Sequence, residues 1–389
     1  MAEKHGIPLV RPFEIRIADR QLIDLRARLA MARWPDEETV ADWSQGVKRT
    51  KFRKLVDYWA GEYDWRRVER VLNTYPQFLT EIDGVDIHFF HIRSRHAHAR
   101  PLLITHGWPG SVIEFLKIIE PLVDPVAHGG SSADAFHLIL PTLPGFGFSG
   151  IPRDTGWNDK RIARAWLELM RRLGYNAFAA QGGDWGACVT TRLGQLEPPE
   201  LKAIHLNWAF VLPDPVPTEG LSDEERQALG DLDHFLKSGN AYYLVQMTKP
   251  QTIGYSLVDS PVGLAAWIYE KYHGWTDNSD DPEDVLSRDG MLDNIMLYWL
   301  TATGASSARI YWEHSGNVFS AGKVNVPAAI SVFPHEIYRL PESWTREAFP
   351  NLYRFVRHDR GGHFAAWERP DVFVADMRES FKSVDMGNL

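Results

Sequence analysis

The stretch that decides the fold is Ala177-Phe178-Ala179-Ala180-Gln181-Gly182-Gly183-Asp184-Trp185-Gly186. Residues 177–181 read as a short buried strand, and a helix follows the last glycine. Small residues two before and two after the central position, Gly182 and Gly186, let the chain turn sharply from strand to helix. Such a turn lifts one side chain above the sheet. Here that residue is Asp184; no Gly-x-Ser-x-Gly occurs anywhere in the chain. A lifted carboxylate is a nucleophile that would form an ester with its substrate. Taken alone, an ordinary glycine-rich turn with an exposed aspartate fits the motif equally well.

Outward from this turn, strands alternate with helices. Residues 101–105, 136–141 and 203–210 read as strands, and 112–122 and 158–173 as helices, the latter with Trp166, Leu169 and Leu173 on one face. Alternation of this kind implies a mostly parallel sheet covered on both faces. Residues 78–82 and 85–90 flank Asp83-Gly84, a strong hairpin signal. The first 76 residues read as helical, with Leu22, Leu25 and Leu29 on one face of a helix over 18–32 and a second helix over 50–63, neither with strand partners. After 210 the alternation stops, Pro213, Pro215 and Pro217 open a linker, and a helical stretch runs to about 302. Strands resume at 324–333 and 353–358, and the chain ends in a helix. The expected organisation is an N-terminal helical extension (1–76), a first core part (77–210), a helical lid (211–302) and a second core part (303–389). An insertion at that point is well placed to roof a site at the strand ends.

Composition narrows the classes. The 389 residues carry a formal net charge of −9, which argues against a broad nucleic-acid surface. An apolar fraction of 44% suffices for a sizeable core and excludes a wholly disordered chain. One cysteine, Cys188, excludes an intramolecular disulfide and a cysteine zinc cage. No apolar run approaches the ~20 residues of a membrane span, and the charged first 33 residues are not a secretory signal. The reading is a soluble, cytoplasmic protein.

Three further segments surround Asp184. His106-Gly107-Trp108-Pro109 follows an earlier strand, where hydrolases with such an elbow carry the loop of their oxyanion hole; the N–H groups of Trp108 and Trp185 are the candidates. Gly361-Gly362-His363-Phe364 follows the last strand, which suits the base of a triad ordered nucleophile, acid, histidine. The acid is then Glu336, 27 residues before His363 and just past the strand ending at Phe333. Asp359 is the competitor, ranked second because it shares a connection with His363.

Together these residues resemble the epoxide hydrolases of the α/β-hydrolase superfamily, in the microsomal-type branch. The resemblance spans nearly the whole chain and includes Thr248-Lys249-Pro250, residues 259–266, Phe333-Pro334-x-Glu336 and residues 361–368. It implies the α/β-hydrolase fold and no metal or organic cofactor. Mammalian members begin with a membrane anchor, which is lacking here, so the chain resembles the soluble bacterial and fungal members, some of which act in antibiotic pathways including those of enediynes. The resemblance also implies two lid tyrosines, Tyr242 and Tyr311, with the adjacent Tyr243 as an alternative to Tyr242. A phenol of pKa near ~10 stays protonated at neutral pH yet can donate to an opening epoxide oxygen.

The mechanism implied is attack by Asp184, then hydrolysis of the ester by water activated by His363 and Glu336, with Trp108 and Trp185 as oxyanion donors. The product is a vicinal diol. Trp267, Tyr269, Trp275 and Trp299 suggest a bulky, apolar or aromatic epoxide. A homodimer is left open. A haloalkane dehalogenase is the nearest rival, and a ligand-binding protein on a hydrolase scaffold the rival of another class; a serine esterase is disfavoured by Asp184. Gly145-Phe146-Gly147-Phe148-Ser149-Gly150 matches a dinucleotide pattern but opens no helix, so it reads as a loop beside the site. His88, His91, His96 and His98 read as ordinary histidines rather than metal ligands. Arg171 and Arg172 read as a helix C-terminal pair.

Overall fold

The computed structural model describes residues 10–314 and 322–386. Among these, nine strands form one sheet: β1 (Arg11–Pro12), β2 (Gln77–Ile82), β3 (Val85–Ile92), β4 (Arg100–Thr105), β5 (Phe136–Pro141), β6 (Phe178–Gly182), β7 (Leu201–Leu206), β8 (Ala328–Val332) and β9 (Leu352–Arg357). Their order is β1-β2-β3-β5-β4-β6-β7-β8-β9. Pairings from β1 to β5 are antiparallel; those from β5 through β9 are parallel. β4, β6 and β8 are buried at every position, as continuous apolar runs require when helices cover both sheet faces. The β2–β3 hairpin turns through Asp83 (φ 50°) and Gly84 (φ 79°), both left-handed as a two-residue type I′ turn demands.

Helices α1 (Asp19–Ala30), α2 (Arg49–Gly61) and α3 (Trp65–Leu72) precede the hairpin. Their apolar faces join the main core through Leu25, Leu29, Phe52, Trp59 and Val68. The reading of the first 76 residues as helical is corrected at one point. Arg11 and Pro12 pair with Leu79 and Phe78 as an edge strand, too short for periodicity to announce. Helices α4 (Leu116–Val123), α5 (Asp159–Arg172) and α6 (Trp185–Gln195) cover the first half of the sheet.

Between β7 and β8 lie α7 (Asp223–His234), α8 (Ala241–Thr248), α9 (Pro250–Asp259), α10 (Pro261–Trp275), α11 (Arg288–Leu300) and α12 (Gly304–Glu313). A single wide turn with π-helical bonding, Phe235–Gly239, joins α7 to α8. The end of the helical block read at Ala302 falls short, because α12 packs on α8 and α9. Ala302 takes φ 53° and only turns the chain between α11 and α12. Helices α13 (Glu342–Ala348), α14 (Ala365–Glu368) and α15 (Pro370–Phe381) complete the chain. Strands β4, β6, β8 and β9 end on the same side of the sheet, beneath the α7–α12 block, which is where ligands bind parallel α/β sheets. Among the described residues no helix is long and apolar enough to cross a membrane.

Candidate active site

Asp184 sits at the sharp joint between β6 and α6 with φ 52° and ψ −130°. This backbone region is costly for a non-glycine residue, and such strain persists only where the surroundings hold it. They do: a side chain at Gly186 would put its Cβ 1.9 Å from the carbonyl oxygen of Thr105. The joint aims the Asp184 carboxylate out of the sheet and sets it at the positive end of α6. Its Oδ1 accepts a 2.8 Å hydrogen bond from the backbone N–H of Trp108. Trp185 follows as the first residue of α6, so its N–H has no partner within the helix.

The loop after β4 is held from two directions. His106 is neutral, since burial pushes it down to about 4; Nδ1 bonds Gly107 O at 3.0 Å, and Nε2 accepts from Leu143 N–H at 3.2 Å. From above, Asn294 Nδ2 donates to Pro109 O and Tyr298 Oη to Gly110 O, both at 2.7 Å. At Gly107 a Cβ would fall 2.2 Å from Asp184 Oδ1, so only glycine lets this loop approach the carboxylate.

His363 and Glu336 complete the group. His363 Nδ1 donates to Glu336 Oε1 at 2.6 Å, and Nε2 lies 3.2 Å from Asp184 Oδ2. Burial alone would lower the His363 pKa, but the carboxylates of Glu336 and Asp184 outweigh it and raise the pKa well above the usual value. The resting imidazole is therefore charged, with Nδ1 donating to Glu336 and Nε2 in ion-pair contact with Asp184. Burial raises the Glu336 pKa against the opposing pull of His363. Asp359 is exposed.

Over Asp184 opens a pocket of about 680 Å³, counted out to its mouth, walled by Trp185, Trp208, Phe210, Phe235 and Leu244. Tyr242, on α8, and Tyr311, on α12, form its inner end. Tyr242 stacks on Trp108 with planes 8° apart and centroids 5.2 Å apart. Tyr311 stands edge-on to Trp185 and Trp108 at 4.9 and 5.7 Å, and its buried hydroxyl has no hydrogen-bond partner among the described residues. Burial raises both phenol pKa values well above normal, and the negative charge of Asp184 adds to it. Tyr243 also lines the pocket but is only partly buried.

Comparisons with known proteins give the family. Residues 10–115 match the model of the epoxide hydrolase N terminus, and residues 100–238 that of the alpha/beta hydrolase fold. A protein of Stigmatella aurantiaca (strain DW4/3-1), provisionally assigned as an epoxide hydrolase, is 56% identical over 96% of this chain and 85% of its own. Epoxide hydrolase 1 of Oryctolagus cuniculus is 38% identical over 95% of this chain and 88% of its own. The chain belongs to the epoxide hydrolase family. The solved Aspergillus niger epoxide hydrolase superposes with a TM-score of 0.87 at 34% identity, covering 98% of this chain and 99% of that one. The fold is thus the α/β-hydrolase fold with the N-terminal extension of the epoxide hydrolases.

Within this epoxide hydrolase, several residues near Asp184 escape sequence reasoning. Glu114 lines a second, narrow cleft behind Asp184, together with Gln181, Asn207 and His363. Burial pushes its carboxyl up to about 8. Glu368, pushed by burial to about 7, accepts from the N–H groups of Phe364 and Asp277 and so clamps the His363 loop. It lies in the 361–368 motif, which was the available signal; Glu114 had none beyond following His106 by eight residues. Of the set-aside histidines, His88 is bonded inside the sheet to Thr142 and Gln77, His91 to Tyr175, and His96 to Asp124. Gly145–Gly150 forms a turn whose Gly145 O accepts from Ser306 of α12.

Proposed function

We propose that this epoxide hydrolase adds water to an epoxide to give a vicinal diol, through an ester formed on Asp184. One observation carries the reading: a carboxylate gripped by Trp108 N–H at 2.8 Å and His363 Nε2 at 3.2 Å, facing two buried phenols in an apolar pocket. Tyr242 and Tyr311 hold the epoxide oxygen. Burial keeps them protonated, so they donate as alkoxide character develops. Oδ1 stays on the Trp108 N–H, and Oδ2, which faces His363 Nε2, attacks a ring carbon. The bond from that carbon to the epoxide oxygen breaks, and the alkyl ester forms.

Ester formation removes the Asp184 charge that helped to hold the imidazolium. The His363 pKa then falls, the proton leaves, and a neutral base oriented by Glu336 is produced in time for the second step. His363 takes a proton from water, and the hydroxide attacks the ester carbonyl carbon. The N–H groups of Trp108 and Trp185 take the oxyanion. Collapse expels the diol alkoxide, which takes the proton held by His363, and the new carboxylic acid returns its own proton to His363, restoring the carboxylate and the imidazolium.

The aromatic walls favour a bulky, apolar or aromatic epoxide. Both natural-product biosynthesis and detoxification present such molecules. The test is a single turnover of styrene oxide in ¹⁸O-labelled water. Unlabelled oxygen in the first-turnover diol, with label left in the Asp184 peptide, is the expected result. Label passing straight into diol, with none at Asp184, would mean that water attacks directly. Halide release from haloalkanes, with no diol from any epoxide, would replace the reading by a dehalogenase.

A further inference from the structure

Lys271, on α10, is 4% exposed. Its Nζ lies 4.2 Å from the centroid of the Tyr242 ring and 5.5 Å from that of Trp275. Its ion-pair partner is Glu270, which stands nearer the solvent at 40% exposed. Tyr242 thus has an ammonium on its ring and an indole, Trp108, stacked parallel to it. Among the described residues no cation lies over the Tyr311 ring, whose neighbours are the edges of Trp185, Trp108, Tyr242 and Tyr243.

A buried lysine has a cost, and burial lowers its pKa here. Packing alone would be served as well by Met or Leu. A cation over a neutral phenol recovers a modest part of that cost. Over a phenol that is giving up its proton the attraction becomes one between opposite charges at close range, and it is much larger. The two lid phenols are therefore unequal.

We propose that Lys271 makes Tyr242, rather than Tyr311, the phenol that transfers its proton to the opening epoxide, by holding positive charge against the ring on which negative charge develops. Tyr311 then contributes a hydrogen bond only. The inference rests on the two-step reading above. In the first step the Asp184 Oδ2–carbon bond forms and the carbon–oxygen bond of the epoxide breaks. Its electron pair stays on oxygen, which takes the Tyr242 proton and leaves a phenolate beside Lys271. The phenolate is reprotonated from the medium, which receives in exchange the proton that His363 gives up once Asp184 is an ester. The carboxylic acid left by ester hydrolysis returns a proton to His363. Lys271 touches no reacting atom, so it is a positioning residue acting through Tyr242.

The test is rapid-mixing single turnover, with the alkyl-enzyme and the diol quantified separately. The substrates run from 1,2-epoxypropane to 3,3,3-trifluoro-1,2-epoxypropane, whose alkoxide is much less basic. Lys271→Met is expected to slow alkylation about tenfold with 1,2-epoxypropane. It should slow alkylation far less with the trifluoro compound and leave ester hydrolysis unchanged. Lys271→Arg should restore most of the rate. Equal slowing with both substrates, or of both steps, would overturn the proposal, because a packing defect does not follow alkoxide basicity. Should Lys271→Met fail to fold, Tyr242→Phe and Tyr311→Phe decide: the first should slow alkylation by 1,2-epoxypropane far more than the second, and equal or reversed slowing would overturn the proposal. If the wild-type enzyme gives diol with no alkyl-enzyme, the two-step reading fails and this inference falls with it. An alkyl-enzyme that forms as fast in Lys271→Met as in wild type sinks this inference alone.

Discussion

At the scale of single residues, the site is a set of charges that cannot all be satisfied at once, and the chemistry exploits that. His363 is held charged by Glu336 and Asp184, so its basicity depends on whether Asp184 is free or esterified. His363→Gln should still be alkylated by styrene oxide but should not release diol. Mass analysis of the intact variant should find one substrate mass added and persisting; full turnover would remove His363 as the base. Glu114 offers a second test, of stability. Its carboxyl moves from an ordinary 4.5 to about 8 in the folded state, chiefly by burial. A group whose pKa is raised on folding contributes stability that is complete below its unfolded value and is lost as pH rises through its folded one. Glu114→Gln keeps the shape and removes the titration. Urea unfolding should find the variant close to wild type at pH 5 and more stable by a few kcal/mol, in order of magnitude, at pH 8.5. A difference independent of pH would mean that Glu114 is ionised in the folded protein.

At the scale of elements, the joint between β6 and α6 is a packing problem before it is a catalytic one. Gly182 and Gly186 face backbone that cannot move aside: a Cβ on Gly182 would lie 2.1 Å from Gly186 O, and one on Gly186 1.9 Å from Thr105 O. Gly186→Ala should therefore cost about 3 kcal/mol or more in urea unfolding and abolish diol formation. Wild-type stability in that variant would mean that β4 and α6 are not packed this closely. This joint was legible in the sequence because steric need leaves small residues at fixed spacing. The parallel strands were legible too, as apolar runs between helical periods. What stayed hidden follows a common physical pattern. The two-residue β1 is too short to have a period. Ala302 turns the chain with a positive φ and no glycine to mark it, so α12, which carries Tyr311, was separated from the helices it packs on. Lys271 acquires its place over Tyr242 only when α10 folds back on α8, 29 residues earlier in the chain. Local pattern carries no trace of such a contact.

At the scale of the whole molecule, the N-terminal helices are bound to the helical block over the site, and this sets how rigidly the phenols are presented. Asp293 of α11 is the hub of that attachment. Its carboxylate accepts from Tyr63 Oη at 2.7 Å and from Arg67 Nη2 at 2.7 and 2.8 Å, while Tyr58 Oη donates to Asp289 one turn earlier. Next to Asp293 and a turn further along α11, Asn294 and Tyr298 hold the Pro109 and Gly110 carbonyls of the loop that bonds Asp184. A continuous chain of contacts therefore runs from α3, through α11, to the carboxylate. Asp293→Ala would leave the buried Tyr63 hydroxyl without its acceptor and the half-exposed Arg67 with Asp289 in place of the pair. Removing one partner from such a group costs more than the group contributes, because the other partners stay desolvated and unpaired. Arg67 is 40% exposed, and water will take over part of its loss, so a destabilisation of about 2–3 kcal/mol is expected rather than the larger figure for full burial. The same variant should lower kcat for diol formation more than it raises KM, because the pocket walls come from other helices while the Trp108 loop hangs on α11. Protease cleavage before residue 77 should quicken in parallel. Lost stability with unchanged kcat would show that the extension only anchors the fold and has no hold on the geometry at Asp184.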